Sequence, residues 1–105
     1  MPAEHRDDAD TVAGIAVAVP GVRSLHPGMF GEVATYLPGR RVAGVRVTDN
    51  AIDVHVVVDP EAKIRDTAAA VRRAVADVYP SHSVDVTVED IAPETTQAQN
   101  TGGQK

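Results

Sequence analysis

The apolar positions in the middle of the chain change parity. Before Asp49 they fall on odd numbers (Val45, Val47), and after Asn50 on even ones (Ile52, Val54, Val56, Val58). A two-residue hairpin loop at Asp49-Asn50 explains the switch, because both residues tolerate the left-handed backbone that such a turn demands. Val47 then faces Ile52, Val45 faces Val54 and Ala43 faces Val56, all on one side of the sheet, since strand side chains alternate between faces. The other side pairs Arg46 with Asp53, opposite charges across the strands and worth roughly 0.2–1 kcal/mol. It also sets Val42 opposite Val57, an apolar patch expected to be covered by another element or another subunit. His55 alternates to this same outer face, and Val42, Val57, Arg46, Asp53 and His55 form the candidate interaction surface.

The flanking pattern predicts the remaining elements. Asp10 or Thr11 can cap a short helix whose stripe is Val12, Ile15, Ala16 and Val19, stopped by Pro20-Gly21. Val22–Leu25 reads as extended, and Met29–Leu37 reads as a strand despite Gly31. Pro38-Gly39 is a turn pair, and 41–48 and 51–58 are the clearest strands. Asp59 suits a helix N-cap and Pro60 a first helical position. Ile64, Ala68, Val71, Val75, Val78 and Tyr79 then make one helical face, with Arg65, Arg72, Arg73 and Asp77 on the other. Val84, Val86 and Val88 alternate with Asp85, Thr87 and Glu89 in a last half-buried strand. The implied fold is α+β, in the order α-β-β-β-α-β, a mainly antiparallel sheet covered on one face by two helices. Residues 1–10 read as a flexible segment, 11–91 as the single domain and 92–105 as a disordered tail.

Composition narrows the function classes. The 105 residues are 43% hydrophobic but only 3% aromatic, so Val and Ala must build the core. Such a core stabilises modestly at about 25 cal/mol per Å² of buried apolar surface, and association with a second copy would add to it. A net charge of −5 argues against a general nucleic-acid binder. The alternative that remains is a small regulatory module binding nucleic acid or protein through Arg40, Arg41 and Arg46 and through Arg72 and Arg73. Cysteine is absent, so neither a disulfide framework nor thiolate chemistry is available. The longest apolar run, Val12–Val19, is far short of the ~20 residues that span a bilayer, and no direct membrane insertion is expected.

Chemistry-bearing clusters are sparse. His5, His26, His55 and His82 match no zinc spacing. Asp85, Glu89 and Asp90 read as a solvated strand face rather than an acid–base pair. Ser24, Ser81 and Ser83 stand in no nucleophile context, and Pro27–Gly31 lacks the lysine of a phosphate loop. No catalytic, cofactor or metal residue is assigned, and the chain is not expected to be an enzyme.

The succession of pieces resembles the alkaline shock protein family, the general-stress or cell-envelope-stress family of Gram-positive bacteria. The resemblance rests on Val19-Pro20-Gly21-Val22, Val42–Val47, Ile52–Val58, the helix Ile64–Val78 and Val84–Ile91. It implies a non-catalytic cytoplasmic scaffold that self-associates, binds a small integral-membrane anchor protein at the inner face of the cell membrane, and serves envelope homeostasis and stress response. It implies no cofactor, and it defines no catalytic or cofactor residues that could be carried over.

Overall fold

A computed structural model of the chain describes residues 2–93. Its centre is strand β5 (Ala51–Val58), on which Ile52, Val54, Val56 and Val58 are fully buried while Ala51, Asp53, His55 and Val57 on the other face are half-buried. One edge of β5 runs in parallel with β6 (Ser83–Ile91), from Ala51 beside Ser83 to Val58 beside Ile91, with an irregularity between Val56 and Val57. The opposite edge is shared by two short antiparallel strands. Strand β4 (Val45–Val47) pairs Val45 with Val54, Arg46 with Asp53 and Val47 with Ile52, the register that the parity switch predicts. Strand β1 (Val22–Leu25) continues the same edge, with Leu25 beside Val56 and Val22 beside Val58.

Between β1 and β4 the chain leaves the sheet, forms the two-stranded arm β2 (Ala34–Leu37) and β3 (Arg40–Ala43), and returns. Gly44 is the point of return. Its φ is +86°, and a Cβ there would lie 2.7 Å from the Leu25 Cβ and 2.9 Å from the His26 nitrogen, so only glycine allows the two strand ends to meet. His55 closes the seam: its N–H donates to the Gly44 carbonyl at 2.9 Å, and its carbonyl accepts from the His26 N–H at 2.8 Å.

This exchange of partners corrects the single strand expected over 41–48. Ala43 lies beside Ala34 rather than Val56, and Val42 beside Thr35 rather than Val57. Val42 is buried in the core, while Val57 lies beside Ser24 and Asp90, so the expected Val42–Val57 outer patch does not form. The strand expected over Met29–Leu37 begins only at Ala34. Positive φ at Gly28 and Gly31 turns the preceding residues, and bonds from Gly31 N–H to the Gly28 carbonyl and from Val33 N–H to the Pro27 carbonyl hold the turns.

Helices α1 (Pro2–Val17) and α2 (Ile64–Val78) cover one face of the sheet, as the apolar stripes require. Their buried side chains (Ala9, Val12 and Ala16 from α1, Val71 and Val75 from α2) close over Val45, Val47 and the buried row of β5. The two-layer α+β fold therefore stands, with five strands before α2 where the simpler reading has three.

Three boundaries differ from expectation. Helix α1 begins at Pro2, so Asp10 and Thr11 lie within it rather than capping it. Ala9 is fully buried, Tyr79 donates its hydroxyl to Asp8 at 3.1 Å, and Arg40 binds Asp10 through both terminal nitrogens, which gives this stretch tertiary partners. Asp59 does not cap α2: its carboxylate accepts from Arg23 Nε at 2.8 Å, residues 59–62 form a turn, and Lys63 stands at the N-cap without a side-chain bond. Residues 94–105, expected as a disordered tail, lie outside the described residues, whereas Ala92 is buried with its N–H on the Val58 carbonyl at 2.7 Å.

The stripe of α2 is also rotated from the expected one. Thr67, Val71 and Val75 are its buried residues, one helical turn apart, and Thr67 lies where a Cβ on Gly21 would come within 2.8 Å of its hydroxyl. Ile64 and Val78, predicted as core, are 42% and 52% exposed.

Candidate functional site

The sheet face away from the helices collects most of the polar side chains singled out in the sequence. Arg46 on β4 and Asp53 on β5 lie directly across from each other, as predicted, and His55 follows two residues along β5. Alternation places these side chains on the outer face because Ile52, Val54 and Val56 take the inner one. Of the five predicted surface residues, Arg46, Asp53, His55 and Val57 share this face and Val42 does not.

Two residues that the sequence pattern does not single out as members of this site join it. His55 Nδ1 lies 2.5 Å from Glu89 Oε2, a contact between the central strand and its parallel neighbour, with both side chains about one-fifth exposed. Glu89 lies two residues beyond Thr87, the register partner of His55, on the same face of β6 and beside the irregularity in the β5–β6 register. Glu32 enters from the loop before β2. Its carboxylate accepts the Phe30 N–H at 3.0 Å, and a Cβ on Gly28 would lie 2.7 Å from it, so the Gly28–Glu32 turn wraps that carboxylate. The bonds from the backbone N–H groups of Glu32 and Phe30 hold its carboxyl below the ordinary carboxylate range, with smaller contributions from the nearby charges of His55 and Arg46; burial opposes them. Arg46 donates to the Glu32 carbonyl, fastening the loop to β4. Neither contact is legible in one sequence, because each joins residues far apart in the chain through pairings that local alternation does not specify.

The face is acidic along its β6 side. Asp53 lies beside Asp85 in the parallel register, and Thr87 beside His55. Among the described residues no group of three or more His, Asp or Glu side chains is disposed to hold a metal ion. The His55–Glu89 pair supplies two donors, one of them already occupied by the other, which does not fit a cation site within one chain. His26 accepts the Gly28 N–H at 3.0 Å within its own turn, and His82 Nε2 lies 3.1 Å from the Thr48 carbonyl, tying the turn before β6 to the β4–β5 hairpin.

The arginines considered as an alternative surface are divided. Arg40 is engaged by Asp10 and Arg46 by the Glu32 carbonyl, while Arg72 and Arg73 lie on α2. They do not make one continuous basic face. No helix among the described residues is long and apolar enough to cross a membrane.

No family model matches the chain, and neither does any curated protein sequence. Solved structures do. The C-terminal domain (CTD) of MamM in a copper form is 21% identical with a TM-score of 0.58, covering 94% of each chain. A single-substitution variant of the same domain is 22% identical at 0.54, covering 90% of this chain and 86% of that one. A manganese form of another variant is 21% identical at 0.53, covering 81% and 96%. These neighbours correct the resemblance to the alkaline shock protein family: the solved structures that share this arrangement are MamM CTDs, and the expected ties to stress response and the cell envelope fall with that resemblance. The chain has the fold of the MamM CTD.

Proposed function

We propose that this chain is a non-catalytic, self-associating regulatory module of the kind found as the C-terminal domain of cation diffusion facilitators. The observation that carries this reading is the match to the copper-form MamM CTD, which spans 94% of both chains. Composition supports it: a Val and Ala core with 3% aromatic residues gains stability from association. The copper and manganese of those structures are not carried over, because the His55–Glu89 pair and its neighbours do not make a donor set in one chain. Light scattering on the purified protein tests the reading. A mass of twice 11.0 kDa at micromolar concentration is expected; a strict monomer at near-millimolar concentration overturns it.

The finer part of the reading is a cytoplasmic location beside a membrane-anchored partner. Cross-linking in cells, followed by fractionation, is expected to recover the chain with an integral-membrane protein. Recovery from the soluble fraction alone, with no membrane-protein adduct, overturns that part.

A further inference from the structure

Strand β6 is the one long strand with an open side. Its nine residues pair only with β5 among the described residues, and it carries neither Pro nor Lys, while its charges, Asp85, Glu89 and Asp90, restrict which registers a partner strand can take. The helix layer also stops short of it. On β5 the inward row is fully buried, but the inward row of β6, Val84, Val86 and Val88, is only half-buried. Two hollows of the surface lie along this margin. One of about 310 Å³ is lined by Ala68, Arg72, Val84 and Val86, and another of about 350 Å³ by Ile64, Val88 and Ile91. Ile64 and Ile91, at 42% and 46% exposure, are the large apolar side chains left uncovered there.

The backbone says what kind of occupant completes such an edge. Ser83 N–H donates toward β5, to the Asn50 carbonyl at 3.0 Å. Main-chain groups of alternate residues point to opposite sides of a strand, so the N–H and C=O of Val84, Val86 and Val88 are directed at the open edge. Only another extended strand satisfies such a row while covering an apolar margin.

We propose that the occupant is β6 of a second copy, running antiparallel about a two-fold axis at Val86, so that two sheets become one with all four helices on the same face. This rests on the self-association reading and assigns its surface. Charge and side-chain matching together set the register. Centring on Thr87 sets Asp85 against Glu89 of the other copy, and centring on Asp85 sets that carboxylate against itself; like charges directly opposite are destabilising. Centring on Val88 sets Val86 opposite Asp90, and centring on Val84 sets Val86 opposite His82 and Val88 opposite Pro80, whereas centring on Val86 places Asp85 opposite Thr87 and Ser83 opposite Glu89 and keeps Val84 opposite Val88. Each outward-directed residue then meets another outward-directed residue, and both exchange backbone bonds.

The absence of native cysteine makes the test clean. Val86→Cys meets its own symmetry mate at a Cα separation of about 5.5 Å, within disulfide range. Mild oxidation is expected to link it into a covalent dimer. Asp85→Cys alone is not expected to link, whereas a mixture of Asp85→Cys and Thr87→Cys proteins is. Val86→Pro removes an edge-directed donor while leaving the ladder to β5 intact, and is expected to return the mass to 11.0 kDa with an unchanged circular dichroism spectrum. If that variant does not fold, the cysteine pattern decides. A wild-type dimer in which Val86→Cys does not link and Val86→Pro stays dimeric overturns this surface while leaving self-association standing. A wild-type monomer overturns both.

Discussion

The sheet around β5 and the arm inserted at residues 26–44 use apolar residues in opposite ways. In the sheet, apolar and polar positions alternate, and the apolar ones are buried: Ile52, Val54, Val56 and Val58 show no exposure. In the arm the largest apolar residues point outward. Phe30, the sole phenylalanine, is 88% exposed, Met29 80% and Tyr36 70%, while the arm's buried contacts come from Val33, Ala34 and Val42. The difference teaches that burial in this molecule follows position relative to β5, not side-chain size. The chain builds its core from small branched residues and places two of its three aromatics where they contribute little to folding.

Substitution at one site in each region gives the largest expected contrast. Ile52→Ala removes a fully buried side chain beneath the helices and is expected to cost about 2–5 kcal/mol. For a domain of this length that lowers the melting temperature by roughly 4–8 °C per kcal/mol, read by calorimetry or circular dichroism. Phe30→Ala, although it deletes a larger side chain, is expected to stay within about 0.5 kcal/mol of the parent, as surface changes do. A loss of several kcal/mol at Phe30 in the isolated chain would show that the arm folds back over its own exposed residues.

The next contrast concerns two glycines, one at the seam between the regions and one at the arm's tip. Both have positive φ, +86° at Gly44 and +79° at Gly39. Alanine at either position carries the left-handed penalty of about 1–2 kcal/mol. At Gly39 a Cβ meets nothing within 4 Å, so Gly39→Ala is expected to cost no more than that penalty. At Gly44 the Cβ would also meet Leu25 Cβ at 2.7 Å and the His26 backbone, neither of which is a flexible tip. Gly44→Ala is therefore expected to cost clearly more and to disturb the β1–β5 and β4–β5 pairing, seen as faster amide exchange at His26 and His55, whose N–H groups close the seam. Equal losses at the two glycines would mean that the seam has room.

The same contrast explains what was legible beforehand. The Val45–Val54 pairing, the α2 and β6 segments and the placing of Arg46 opposite Asp53 follow from alternation and turn chemistry, which act over a few residues. The partner exchange at Gly44 does not, because Val42–Val47 reads as part of one continuous strand and only the arrival of Leu25 and His26 forces the break. The rotated stripe of α2 is similar: Thr67 is buried because Gly21 lies against it, a contact with no local trace. The His55–Glu89 contact needed the parallel placement of β6, which a single sequence leaves open. The family resemblance misled for a related physical reason. Alternating valines around an amphipathic helix record which faces are buried in a two-layer α+β domain, and unrelated chains of that architecture share them.

The smallest expected effect lies where the arm meets α1. Arg40 donates to both carboxylate oxygens of Asp10, at 3.1 and 2.8 Å, and this bond holds the Asp10 carboxyl below its ordinary value. A carboxylate whose affinity for protons falls on folding stabilises the folded state fully above its unfolded value, and loses that contribution as pH drops through the lower folded one. The pair is open to solvent, so salt screens it and its share of stability near neutrality is slight. Arg40→Ala is thus expected to return the Asp10 titration, followed by carboxyl NMR, to the ordinary range while leaving the melting temperature at pH 7 nearly unchanged. A large drop in melting temperature at pH 7 would show that this contact anchors the arm to the helix layer, and would move the arm from the loosely held side of the comparison to the tightly held one.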